Sequence, residues 1–115
     1  MTNKTIETEH LARHLLGALG ETIAHRRQRM KMSQQELADR SKVDRAFISN
    51  VERGKRNPTF AALAKLAFGL GLRLSRLIAQ AEQRFYDNPK GEPGRASAKH
   101  ESAAGKTVRR TSQRD

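Results

Sequence analysis

The sequence predicts an all-α fold: five short helices in one domain, followed by a basic tail. Three observations carry this. Leu and Ala are frequent while β-branched residues are sparse, which favours helix over strand. Apolar residues recur at three- and four-residue spacings through residues 15–82. Start and stop residues punctuate that stretch at helix-length intervals. Aromatic content is 4% with no Trp, so the core must be built from Leu, Ile, Val and Ala.

The first helix places Leu16, Leu19, Ile23 and Met30 on one face. Leu11 and Leu15 continue the stripe towards Glu9, but Gly17 and Gly20 weaken that extension. Residues 1–14 are therefore read as an N-terminal extension. The second helix begins at Ser33, with Glu36 three residues on, a capping box in which each side chain satisfies the other's backbone N–H. Leu37 and Ala38 face inward, and the helix stops near Ser41. Asp44 caps a third helix with Ile48 and Val51 inward, and Gly54 supplies a left-handed stop. Pro58 and Thr59 open a fourth, with Leu63, Leu66 and Ala67 inward, ending at Gly69 or Gly71. A fifth starts near Leu74 with Leu77, Ile78 and Ala81 as its apolar face. Residues 83–115 hold the end of that helix and, after Tyr86, a Gly-, Pro-, Ser- and Lys/Arg-rich segment. Such a segment buries too little apolar area to offset its ordering entropy, so a disordered basic tail is expected.

The net charge is +11, of which residues 15–82 carry +7 and residues 83–115 carry +4. Such a surface attracts polyanions: DNA, RNA or an anionic membrane. There is no cysteine, which excludes disulfides and thiolate metal sites. No apolar run of 18 residues or more exists to span a membrane, and the N-terminus lacks a signal-peptide core, so a cytoplasmic location is the expectation.

Within Ser33 to Pro58, two short helices are separated by about three residues, which forces a steep crossing. Ala38 allows close approach there, and Val43, Ile48 and Val51 plug the third helix onto the core. Its other face carries Arg45, Ala46, Ser49 and Asn50, side chains of a size to reach base edges in a major groove. By itself the same face reads equally well as an ordinary solvated one.

This stretch closely resembles the helix-turn-helix of phage repressor and Cro proteins, the bacterial regulators also called the xenobiotic-response-element family. The residues that carry the resemblance are Ser33, Gln34, Glu36, Leu37 and Ala38, then Val43, Ile48, Ser49, Glu52, Gly54 and Pro58. It covers residues 15–82 and implies a lambda-repressor-like five-helix DNA-binding domain. It further implies a sequence-specific transcriptional regulator of double-stranded DNA, working as a homodimer on two half-sites about 34–36 Å apart. By the same resemblance Arg45, Ala46, Ser49 and Asn50 would face bases. Gln34 would bind a phosphate at the start of helix two, where free N–H groups favour an anion. Lys55, Arg56 and Asn57 would touch the backbone. Phe47 would either lie near the sugar-phosphate backbone or a thymine methyl, or be partly buried in the core. Arg27 and Glu52 would form a partly buried ion pair; the alternative is two exposed charges of little energetic consequence. The dimer surface would come from helix five and the preceding loop, with Leu74, Leu77 and Ile78 as candidates; the alternative is that these three complete the core. A restriction–modification controller is one form of such a regulator, since RAFISNVERGKRNP looks like its recognition region. An antitoxin whose tail folds onto a toxin is another reading.

Two positions depart from the family pattern. Lys42 stands where relatives commonly have Gly, which implies strain of about 1–2 kcal/mol if its φ is positive. Asp44 stands where relatives often use Ser or Thr, and its charge would repel a nearby phosphate. Other signals are weak. His10 and His14 share a helix face without further metal ligands. Gly69 and Gly71 end a helix rather than cradle a phosphate. No nucleophile is spaced with a base, so neither catalysis nor a cofactor is expected.

Overall fold

A computed structural model describes residues 2–88, with side chains from residue 7 onward. The expected basic tail lies outside the described residues. Five helices follow in order: α1 Thr2–Arg29, α2 Gln34–Ser41, α3 Arg45–Glu52, α4 Phe60–Gly69 and α5 Leu74–Asp87. No strand occurs among the described residues.

The helix starts follow from local chemistry. Ser33 Oγ accepts from the Glu36 N–H at 3.0 Å, and the Ser33 N–H donates to Glu36 Oε1 at 2.8 Å, completing the capping box. Thr59 Oγ1 accepts from the Ala62 N–H and starts α4. Asp44 occupies the N-cap position of α3, but its side chain makes no capping hydrogen bond. That departs from the sequence expectation of a working Asp cap. The stops share one device: a residue in the left-handed region, followed by an N–H that reaches back five residues. Gly54 (φ 74°) and Gly71 (φ 70°) fill this role after α3 and α4. Lys31 (φ 59°) and Lys42 (φ 62°) fill it after α1 and α2, without the glycine that makes the conformation cheap.

Α1 is longer than the sequence suggested. It runs 28 residues without interruption, so residues 2–14 are its first turns rather than a separate extension. No proline breaks this stretch, and the two glycines do not end it. At Gly20, a Cβ would fall on the carbonyl oxygens of Val51 and Glu52. The missing side chain is what lets α1 lie directly against the end of α3.

The core is the junction of all five helices. Ile23, Leu37, Ile48, Val51, Leu66, Leu70 and Leu77 are fully buried, with Leu19, Ala38, Ala67 and Ala81 around them. Leu77 therefore cannot belong to a dimer surface; it completes the core. Leu74 and Ile78 are half-buried. Met32, Leu70 and Phe85 are core residues that the periodicity did not single out. Phe85 is buried near the end of α5, and Arg84 Nε donates to the buried Thr22 Oγ1 at 3.2 Å, tying α5 to α1. Arg26 Nε donates to the Leu70 carbonyl at 3.0 Å, tying α1 to the end of α4. No helix among the described residues is long and apolar enough to cross a membrane.

Candidate nucleic-acid interface

Α3 is eight residues long, so its two faces can be assigned from the helical rotation of about 100° per residue. Ile48 and Val51 are fully buried, and Phe47 packs against the same cluster. Arg45, Ala46, Ser49, Asn50 and Arg53 fall on the opposite arc, about 140° wide by the same rotation. Arg45, Ala46 and Arg53 are exposed; Ser49 and Asn50 are half-exposed. The apolar arc thus fixes the helix to the body and turns a row of polar side chains outward.

The end of α3 is held by an ion pair with a third partner. Arg27 Nε donates to Glu52 Oε2 at 2.7 Å and Arg27 Nη2 to Oε1 at 3.1 Å, a two-pronged contact between α1 and α3. The side chains are only 12% and 7% exposed. Arg27 Nη1 also donates to the Met32 carbonyl at 2.8 Å, so the guanidinium closes the α1–α2 turn as well. Gln34 Nε2 donates to Glu52 Oε1 at 2.9 Å. The side chain expected to hold a phosphate is therefore turned inward. One of its amide N–H groups is committed to the carboxylate; the other, and the free backbone N–H groups of the first turn of α2, are what it retains for an anion.

Phe47 is half-buried on the core, and the Arg56 guanidinium lies 5.2 Å from its ring centroid. The ring thus acts inside the protein, as a shelf for a neighbouring cation. Lys55, Arg56 and Asn57 are exposed in the segment between α3 and α4. A groove of about 540 Å³ runs beside α3, lined by Lys42, Arg56 and Lys65 together with Asp44, Asn50 and Thr59. Lys65 was not among the residues that the sequence pointed to, because it lies on α4, and Lys42 was noted for its backbone and not as a cation of this groove.

Arg53 was also missed. Its Nη1 donates to Ser49 Oγ at 2.9 Å and its Nη2 to Asn50 Oδ1 at 2.7 Å. The signal was available: Arg53 follows Ser49 by four residues and Asn50 by three, the spacings at which helix side chains meet. His10 and His14 stack one turn apart with ring centroids 4.0 Å apart, and His14 Nδ1 donates to the His10 carbonyl. No group of three or more potential metal ligands is found among the described residues.

A donor-rich arc flanked by cations on a rigid scaffold suits a polyanion whose surface offers hydrogen-bond acceptors. The helix-turn-helix family model matches residues 23–77. The control protein C.MunI of Mycoplasma sp is 36% identical over 58 residues, which cover 50% of this chain and 78% of that protein. Among solved structures, a point mutant of the restriction-modification controller protein C.Esp1396I superposes with a TM-score of 0.61 at 30% identity, covering 64% of this chain and 94% of the other. The controller protein C.AhdI from Aeromonas hydrophila gives 0.53 at 34% identity, covering 54% of this chain and 94% of the other.

Proposed function

Since the chain belongs to the helix-turn-helix family and is thereby a DNA-binding transcriptional regulator, we propose that it reads duplex DNA by laying α3 in the major groove. One observation carries this reading: the polar arc of α3 faces outward while the opposite arc is locked in the core. Arg45, Ala46, Ser49 and Asn50 contact base edges. Lys55, Arg56 and Asn57 neutralise or bond phosphates, which fixes register without reading sequence. Gln34 contributes through the start of α2, and Phe47 acts through Arg56.

One eight-residue helix covers only a few base pairs, so the working unit is a homodimer on two half-sites about 34–36 Å apart. The loop after α4 and the outer side of α5 form its interface. Phe68, 77% exposed just before that loop, is the apolar side chain best placed to be covered.

Selection of binding sites from a random duplex pool tests the whole reading at once. A two-fold symmetric site with the stated spacing is expected, and it should weaken at defined positions in Arg45→Ala. Failure to enrich any sequence, or protection of the duplex by a surface other than α3, would overturn it. Two of the similar solved structures, C.Esp1396I and C.AhdI, are restriction-modification controller proteins, which favours that setting for this regulator, although a phage immunity repressor and the clp gene regulator ClgR match as well. Adjacent genes for an endonuclease and a methyltransferase would support that second step.

A further inference from the structure

Arg53 makes two hydrogen bonds along the outward arc of α3, and their polarity has chemical content. A guanidinium can only donate. The atom of Asn50 that faces it is therefore the amide oxygen, and this orientation is fixed by the partner. Ser49 Oγ also accepts from Arg53, so the hydroxyl keeps its proton for another acceptor. The one carboxylate on α3, Glu52, is turned inward to Arg27 and Gln34. Along the outward arc of the helix itself, the hydrogens left for a ligand are those of the Arg45 guanidinium, the Ser49 hydroxyl, the Asn50 amide NH₂ and the remaining N–H groups of Arg53, while the Ser49 and Asn50 oxygens each already accept from the Arg53 cation.

We infer that Arg53 is a specificity-determining residue, which fixes Asn50 as a donor and so directs it to guanine instead of adenine. This rests on the major-groove reading above. Bidentate pairing of an asparagine with adenine needs its oxygen for the N6 amino group and its nitrogen for N7. One lone pair of that oxygen is taken by Arg53, and the charge and bulk of the guanidinium beside it disfavour the approach of a second donor such as the N6 amino group. Guanine offers two acceptors, N7 and O6, and no major-groove donor, so it matches an amide that shows its NH₂. Cytosine presents an amino donor with no acceptor to meet it. Arg53 acts through Asn50 and Ser49; it is a positioning residue for base selection.

The test is site selection with the full chain and three variants, Asn50→Ala, Arg53→Met and Arg53→Lys, each first checked for an unchanged thermal melt. In the unsubstituted protein, one position per half-site should be guanine and should lose its preference in Asn50→Ala. In Arg53→Met the amide is free to turn, and that position should shift to adenine. Arg53→Lys keeps a donor and should keep the guanine. Adenine at that position in the unsubstituted protein would overturn the inference. So would an unchanged base in Arg53→Met accompanied by a uniform loss of affinity, which marks a phosphate contact. Absence of any enriched site in all four proteins is a different result; it removes the major-groove reading and this inference with it.

Discussion

Glu52 receives three hydrogen bonds, two from Arg27 and one from Gln34, in a setting where its side chain is 7% exposed. A carboxylate so placed is costly without partners and secure with them. Removing either ion leaves the other stranded, so Glu52→Ala and Arg27→Met should each lower stability by about 3 kcal/mol, while the double variant should lose far less than the sum. Thermal or denaturant melts of the four proteins measure this, and small additive losses would show the pair to be a surface contact. Lys42 illustrates the opposite case, a residue whose backbone works against it. Its φ of 62° is strained for any side chain, and Lys42→Gly should raise stability by about 1 kcal/mol in a denaturant titration. The resemblance pointed to both positions. It did not show that Gln34 turns to Glu52, or that Arg53 binds Ser49 and Asn50, because sequence spacing says which side chains can meet and not which rotamer is taken.

Among the helices, two glycines in α1 behave as opposites. A Cβ at Gly20 would collide with the carbonyls that end α3, whereas one at Gly17 would meet nothing within 4 Å. Gly20→Ala should therefore cost about 1–3 kcal/mol and displace α3. Gly17→Ala should add about 0.5–1 kcal/mol through lower backbone entropy in the unfolded chain. Melts of the two variants should move in opposite directions; a common direction would refute the contact. Most of the helix map was legible in advance. The Ser33–Glu36 box, the Thr59 start, the Gly54 and Gly71 stops and the inward positions of α2 to α4 are local signals, and local signals survive in the sequence. The continuity of α1 was not legible, because the tolerance of Gly20 depends on α3, which is remote along the chain. The left-handed Lys31 was equally hidden, since no intrinsic preference marks Lys for that conformation; Lys42 was flagged only through the resemblance. Phe85 lay beyond the last clear apolar repeat, and it is nonetheless buried.

For the whole molecule, charge sets how it meets DNA. Lys42, Arg45, Arg53, Lys55, Arg56 and Lys65 are all exposed on or around the α3 side of the fold. Each phosphate neutralised releases condensed counterions, so affinity should fall steeply with salt. Arg56→Ala should weaken binding to cognate and random duplexes alike and reduce the slope of log K against log salt by about 1. A loss confined to the cognate site would instead make Arg56 a base reader. Asn50→Ala should do the reverse, costing about 1–3 kcal/mol on the selected site and little on random DNA.

The restraints on α3 are unevenly distributed. Gly20, Arg27 and Gln34 all grip its C-terminal end, while Asp44 at the other end makes no capping hydrogen bond. The helix is about 12 Å long and is seated along its length by Phe47, Ile48 and Val51, but the added polar restraints lie at one tip, so Arg45 and Ala46 are held less tightly than Asn50. Discrimination between base pairs should accordingly be graded across each half-site, strict beneath the pinned tip and more forgiving beneath the free one.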